Sequence, residues 1–539
     1  MAGKRLSGRA GILTGALAGA MLTAALLAIF YLAWRLAGLP FVAFDVFDWV
    51  ARILPGSVIT FGIDTMVRVI RALGLGSTAE AAKTAEKAMA IAGMFITGVI
   101  AGAVVFAVAR AWRRERAILL GLIAGAGWGV PALLISRSVG QTAATGPWLN
   151  AVWILGAFLV WGAALGRAYH GLSAGEASAD EASVERLNRR RFLLRLGGAT
   201  AVITVFGAVV GNLAGGRRGR EVEGELWSAS HALPNADAAL TPAPGTRPEF
   251  TPLKDHYRID INTTPPTINE ADWRLRVGGL VESPLAMTLD DLRNKYPPLD
   301  QFITLACISN PVAGDLTSTQ RWTGVSLQRL LPDLRLRPEA THLKLSSADG
   351  FFEILSLETI RADERVMLTY AWDGVPLPAQ HGFPLRVYIP NLYGMKQPKW
   401  ITSVEALDHW EPGYWVGRGW DREAQMKTTS VIDTVAVDMM IVQADERTLI
   451  PVGGVAHAGA RGVSKVEVQV DGGEWRAARL REPLSGLTWV VWRYDWPFQP
   501  GSHTFTVRCY DGDGALQTAE EAPPHPDGAS GLHGKSIRL

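Results

Sequence analysis

The chain has 539 residues and a formal net charge of +2, so no global positive field points to nucleic acid as a partner. The average hides a division: up to about residue 215 the sequence is rich in Ala, Gly, Leu and Val, and beyond it Pro, Asp, Trp and Arg rise. Two cysteines, Cys307 and Cys509, stand far apart, which excludes a densely disulfide-stapled fold and leaves one bridge between them open.

A bilayer span needs about 20 predominantly apolar residues. Five segments meet that requirement: 11–34, 88–109, 117–136, 148–168 and 192–213. Basic residues favour the cytoplasmic flanks. The clusters at Lys4, Arg5 and Arg9, at RAWRRER (110–116) and at RLNRRR (186–191) fit a path that starts inside and crosses five times, leaving everything after 214 outside. Residues 1–214 therefore read as an all-α anchor in the cytoplasmic membrane, with the lipid bilayer as partner and the soluble half on the extracytoplasmic side.

The segment 40–73 is apolar but carries Asp45, Asp48, Arg52, Asp64, Arg68 and Arg71. A sixth span here would reverse every later loop, so the segment is expected to be interfacial or re-entrant at the outer face. A functional intramembrane charge site is the alternative. Gly11, Gly15 and Gly19, and Gly98 and Gly102, recur every four residues, the spacing of closely packed helices. His170 is the one histidine of this half and sits at a span end, whereas a haem within a bundle needs axial ligands there; no haem is expected. Arg189-Arg190-Arg191 before Phe-Leu-Leu has the form of a twin-arginine export signal, and would equally serve as a positive clamp on the fifth span.

Residues 215–250 have the composition of a linker. From 251 a mixed α+β domain is expected to 428, with strands at WRLRVGGLV (273–281), 301–307, 341–347 and 384–390, and a short helix at LDDLRNKY (289–296). Residues 429–539 read as all-β. VSKVEVQV (463–470) alternates, DGG follows as a hairpin turn, and several short strands at this spacing suggest a β-sandwich. Cys509, inside the last of these strands, reads as a small core residue.

The run FITLACISNPVAGDL (302–316) carries the chemistry. Cys307 ends an apolar strand and enters a polar, glycine-containing loop. Most strand-end cysteines are core residues, but an unpaired thiol kept in an oxidising compartment asks for a functional reason. A soft thiolate suits a transition metal. One thiolate alone cannot build a zinc or iron–sulfur site; it could supply the single protein bond to a metal that a cofactor otherwise holds.

With the Cys307 loop and its Asn310, the segments WRLRVGGLV, STQRWTGVSL (318–327) and GVPLPAQHGFPLRVYIPNLYGMKQPKW (374–400) stand in an order that resembles the sulfite oxidase family of molybdopterin enzymes. The resemblance covers about 251 to 539. It implies an α+β molybdopterin domain followed by an immunoglobulin-like β-sandwich of the dimerisation type, and hence a homodimer. It also implies molybdenum with one molybdopterin, the metal bound by Cys307. Tyr257, Arg258, Asn310, Arg321, His381, Arg386 and Lys399 match cofactor-holding positions, and Cys307, Arg258 and Trp420 are the catalytic candidates.

The departures bear on substrate. Family sulfite oxidases follow the cysteine with a glycine-asparagine-diarginine run; here Pro311 and Val312 stand where arginines would be. A family tyrosine lies 21 residues after the pterin lysine, and that count from Lys399 reaches Trp420. A dianion such as sulfite would enter a pocket short of two cationic groups. The resemblance thus implies two-electron, oxo-transfer chemistry on another small molecule, with electrons exchanged with a separate cytochrome or quinone-linked carrier. A sulfoxide-type reductase is the alternative within the fold, and a non-catalytic membrane receptor the alternative of another class. The family inserts its cofactor in the cytoplasm, so twin-arginine export machinery joins the expected partners.

Overall fold

The computed structural model describes residues 8–74, 76–111, 116–139, 145–172, 181–215, 224–442 and 448–539. Lys4, Arg5 and most of RAWRRER lie outside these residues, as do 216–223 of the expected linker. Two compact units emerge, and neither is continuous in sequence: the first takes residues 1–54, 82–221 and 261–267, the second 55–81, 222–260 and 268–539.

Among the described residues of the apolar half there are seven helices: α1 (Gly8–Ala37), α2 (Val42–Ile53), α3 (Gly56–Ala72), α4 (Thr78–Ala109), α5 (Ala117–Val139), α6 (Pro147–Leu172) and α7 (Glu181–Gly215). Five are long and apolar enough to cross a membrane: Gly11–Ala37, Thr78–Ala109, Ala117–Val139, Pro147–Leu172 and Leu194–Leu213. α4 starts well before residue 88 because TAEAAKTAEK is rich in the helix formers Ala, Glu and Lys, whose charged members interrupt any apolar run. Glycines set the helix spacing in the first unit. A Cβ at Gly19 would strike the Gly98 carbonyl, and Gly121 and Gly162 would collide through each other's carbonyls. Gly121→Leu is accordingly expected to cost about 1–3 kcal/mol. Thermal unfolding in detergent reads this, with Gly127→Leu, whose Cβ meets open space, as the silent control.

Three of the charges that made 40–73 awkward, all on α2, have partners. Asp45 accepts from the Ser136 hydroxyl (2.6 Å), Asp48 accepts from the Thr263 N–H (2.9 Å), and Arg52 donates to Asn262 Oδ1 (2.9 Å). α2 thus holds a short strip of downstream chain within the helical unit. α3 belongs to the second unit, where Gly56 meets the Arg418 carbonyl so closely that a Cβ would overlap it.

Among the described residues the second unit contains four sheets. One has the order β2-β1-β10-β5-β6, from β1 (Leu275–Gly279), β2 (Leu285–Met287), β5 (His342–Ser347), β6 (Phe352–Ser356) and β10 (Ile401–Leu407); only β1 and β10 run parallel. Another joins β3 (Leu299–Ala306), β4 (Thr317–Ser326), β7 (Met367–Trp372) and β8 (Val375–Pro376), with β9 (Arg386–Tyr388) also on β7. Their shared core includes Leu275, Leu330, Leu343, Leu368 and Ile401. The expected helix spans Leu289–Lys295, begun by a capping box in which Thr288 and Asp291 satisfy each other's backbone N–H groups.

Beyond residue 428 two sheets face each other. The first runs β11-β13-β17-β16, from β11 (Thr429–Val435), β13 (Thr448–His457), β16 (Arg479–Leu480) and β17 (Val490–Pro497), with β12 (Ile441–Val442) on β13. The second runs β15-β14-β18-β19, from β14 (Val463–Val470), β15 (Arg476–Ala477), β18 (Ser502–Asp511) and β19 (His533–Arg538). Ile450, Val452 and Trp492 from one sheet meet Val466, Val468, Phe505 and Cys509 from the other. Asp471 and Gly472 both take positive φ (53° and 71°) between β14 and β15, as a tight hairpin turn demands. Both cysteines are free thiols, and Cys509 is fully buried with its Sγ 3.3 Å from Gln517 Oε1. The described part of 215–250 is tied down: Arg481 donates to the carbonyls of Asn235, Ala238 and Leu240 and pairs with Glu249.

Candidate active site

β3 and β4 pair to their last rung, Ala306 with Thr317, so the ten residues between them form a loop leaving a fixed sheet end. Cys307 N–H donates to the Leu316 carbonyl (3.0 Å), and Asn310 Oδ1 accepts from Leu316 N–H (3.0 Å). Gly314 permits this fold, because a Cβ there would overlap Asn310 Oδ1. The Cys307 thiol is 8% exposed, with its Sγ 3.0 Å from Ser309 Oγ. Burial pushes its pKa up against the Ser309 hydrogen bond. One side of the thiol is closed by Ala79 and Leu316, with Tyr257 and Ile259 against them. The first turn of α4 delivers Ala79 there, and Thr78 N–H donates to Asp315 Oδ2 (2.7 Å), a carboxylate at a helix N-terminus.

Next to Tyr257 lies a buried cationic cluster. The guanidinium of Arg258 pairs with Asp260 (2.7 Å), and Lys399 donates to Asp260 (3.2 Å), the Ile259 carbonyl (3.1 Å) and the Gln380 carbonyl (3.3 Å). Arg386 is buried, lies 4.8 Å over the Trp322 ring and gives one of its five N–H donors to the His381 carbonyl. Gly382 (φ +113°) lets these chains converge; a Cβ would come within 3.1 Å of Arg386 Cβ and 3.2 Å of Lys399 Cβ. The rings of His256 and His381 stand 5.2 Å apart, and His256 Nε2 is buried without a partner among the described residues.

Burial dominates the electrostatics of this cluster. It lowers Lys399 to about 8, opposed by Asp260 and reinforced by Arg258 and Arg386, and it lowers Arg386 to about 10. It brings His256 to about 3 and His381 well below the usual histidine range, helped by the neighbouring cations. Three cations, Arg258, Arg386 and Lys399, thus stand against two carboxylates that act on Lys399, Asp260 and Asp349. An anion placed here would relieve their mutual repulsion.

On its other side, Cys307 opens on a cavity with about 60 Å³ available to the centre of a water molecule, room for roughly four to six water-sized positions. Asn310, Val312, Tyr393, Lys427, Val431, Val455, His457 and Trp489 help to line it. Burial raises Tyr393 to about 12, so its phenol stays protonated.

The structure therefore brings together Cys307, Tyr257, Arg258, His381, Arg386 and Lys399. Asn310 lies in the same loop, its side-chain oxygen engaged with the backbone. Arg321 is placed elsewhere: strand alternation aims Trp322 at the cluster and Arg321 the opposite way, where it pairs with Asp300 (2.9 Å) and covers the Trp227 ring. Trp420 packs behind the cavity with Ala306, Tyr393 and Met426 and does not line it. Sequence reasoning missed His256, Tyr393, Arg247, Lys427 and His457. Tyr393 sat inside a quoted segment, but nothing local marks the others.

Residues 262–415 match the family model described as the oxidoreductase molybdopterin binding domain. The mitochondrial sulfite oxidase of Rattus norvegicus is 29% identical over 272 residues, 42% of this chain and 50% of that protein. The uncharacterized oxidoreductase YuiH of Bacillus subtilis is 30% identical over 148 residues, 28% of this chain and 72% of YuiH. The chain belongs to the sulfite oxidase family. It carries a domain that matches the family's molybdopterin-binding oxidoreductase domain, and it spans about half the length of the mitochondrial sulfite oxidases it matches. A protein of Azospira oryzae named as a subunit of a protein-methionine-sulfoxide reductase is 29% identical over 154 residues, 29% of this chain and 56% of that protein. The family match includes Cys307, Arg386, Lys399 and Tyr393, and ends before the strand that carries His457.

The residues fit the family's cofactor on their own chemistry. Among the described residues of the cluster cations outnumber carboxylates, buried Arg386 has donors to give, and an orphaned imidazole nitrogen lies among them. Among the described residues no group of three or more His, Cys, Asp or Glu side chains could hold a metal, so those side chains alone would not complete the coordination of a metal at Cys307.

Proposed function

We propose a membrane-anchored oxidoreductase that carries out two-electron, oxo-transfer chemistry at a molybdenum bound by Cys307, on the extracytoplasmic side, exchanging electrons with a separate carrier. The observation that carries this is the placement of one free thiol between a buried cationic cluster and an open cavity. Molybdopterin would supply the redox-active metal and the remaining sulfur ligands. Arg386, His381 and Lys399 would hold its anionic end, with Lys399 and Arg258 oriented through Asp260. Tyr257 and Ala79 keep water from one flank of the thiol, and Tyr393, neutral, offers an O–H at the cavity wall.

The five apolar helices support the anchor, and Arg189–Arg191, placed just before the window Leu194–Leu213, support export of a folded domain. The two-sheet C-terminal part supports an immunoglobulin-like sandwich of the dimerisation type. A sulfoxide-type reductase is the second reading, favoured by the Azospira oryzae relative. Turnover of the detergent-purified protein with artificial carriers separates the two directions. Oxidation of reduced viologen by a sulfoxide supports the reductase, and reduction of ferricyanide by a small donor supports the oxidase. No turnover in either direction by molybdenum-loaded protein sinks both.

A further inference from the structure

Residues 256–264 form neither helix nor strand, so their backbone groups have no ladder, and side chains take them up instead. At one end the run belongs to the cofactor cluster. Tyr257 packs beside Cys307 and its N–H donates to Ser318 Oγ (3.0 Å), the Ile259 carbonyl accepts from Lys399, and Asp260 pairs with Arg258 and Lys399. At the other end Asn262 and Thr263, both fully buried, belong to the helical unit. Three charged side chains close on them. Asp48 of α2 accepts from the Thr263 N–H (2.9 Å) and from its hydroxyl, and Arg52 of α2 donates to Asn262 Oδ1 (2.9 Å). Lys83 of α4 donates to the Asn262 carbonyl (3.0 Å) while pairing with Glu86 (2.8 Å). Asp48 and Lys83 are themselves buried. Only Ile261 separates the two ends, and two residues of extended chain reach at most about 7 Å. A fixed Asn262 therefore leaves Asp260 little room.

Packing alone does not account for three charges at this place. Apolar side chains of similar size would cover the run without the cost of desolvating ions, and are often the more stable choice. Hydrogen bonds have direction where apolar contacts do not. The carbonyl of Asn262 and the N–H of Thr263 are each met by one side chain, which fixes the rotation of the backbone as well as its place. That rotation decides whether the Asp260 carboxylate faces Lys399 and Arg258. We propose that Asp48, Arg52 and Lys83 are positioning residues for the cofactor cluster: they clamp Asn262-Thr263, and through the backbone the clamp aims Asp260, which orients Lys399 and Arg258. The helical unit thereby does more than tether. The clamp rests on the function proposed above only for the identity of the anionic group that these cations hold.

Pterin content and amide hydrogen exchange across 257–263, both measured on full-length protein purified in detergent, test it. Asp48→Leu removes the acceptor; it is expected to retain about tenfold less pterin than wild type, with exchange at 260–263 about tenfold faster. Asp48→Asn keeps a side-chain oxygen for the Thr263 N–H and should retain most of the pterin. Thr263→Val loses only the hydroxyl bond and should fall between the two. Thr23→Val is the matched control: it removes a buried hydroxyl of the same unit that accepts from Trp161 Nε1 (3.1 Å), and it should behave as wild type. Normal pterin content in Asp48→Leu, unchanged exchange across 257–263, or an equal loss in Thr23→Val overturns the clamp. If Asp48→Leu does not accumulate as folded protein, Thr263→Val against Thr23→Val decides in its place. Wild type without pterin sinks the proposed function, and the exchange measurement still decides the clamp.

Discussion

Cys307→Ala protein, purified from cells that make the cofactor in excess, is expected to carry at least about tenfold less molybdenum than wild type while unfolding at a similar temperature. The two readouts separate because the thiol contributes little packing that alanine cannot keep. Cys307 lies in a loop held by its own backbone, through Leu316 and Asn310, and its sulfur touches Ser309 rather than a large apolar core. The metal, by contrast, has no group of three or more His, Cys, Asp or Glu side chains among the described residues to hold it. Metal analysis beside thermal unfolding decides it. Wild-type levels of molybdenum in the variant would remove Cys307 as the ligand. A large drop in melting temperature would make the loss of metal a consequence of unfolding.

Arg386→Met should move two measurements in opposite directions. In cofactor-free protein the change removes a buried cation from a cluster short of carboxylates, and a methionine can fill the space over Trp322, so stability should hold or rise by about 1–4 kcal/mol. In cofactor-loaded protein the same change removes the guanidinium fork, and bound pterin should fall about tenfold or more. Arg386→Lys keeps the charge without the fork and should fall between the two. Urea unfolding and pterin fluorescence after acid oxidation supply the readouts. Loss of apo stability with normal pterin content would instead make Arg386 a structural residue.

Much of this was legible where neighbours in sequence are neighbours in space. The Cys307 loop, the HGFPLR turn and the DGG hairpin are local features, and their residue types announce them. The start of α4 was not, since Thr78–Lys87 is helical by propensity rather than by apolar pattern. The charges of α2 pointed to an interfacial segment, but their partners, Asn262 and Thr263, lie some two hundred residues away. His256 and His457 reach the site through tertiary packing, and a lone histidine carries no mark of that. The placement of Arg321 was within reach: in a strand that sends Trp322 to one face, its neighbour must turn to the other.

Residues 55–81 have a consequence for how this enzyme can be divided. They run into the first turn of the second apolar helix, yet they are part of the same compact unit as the soluble half, and Ala79 closes one flank of Cys307. In the same way, 261–267 lie deep in the soluble half of the sequence and complete the helical unit. A version begun at residue 222 would therefore be more than a protein freed from its anchor. Asp315 would lose its helix N–H, and the thiol would gain an open side. The border between anchor and enzyme is no single peptide bond: each module keeps a piece of its wall in the other's stretch of sequence.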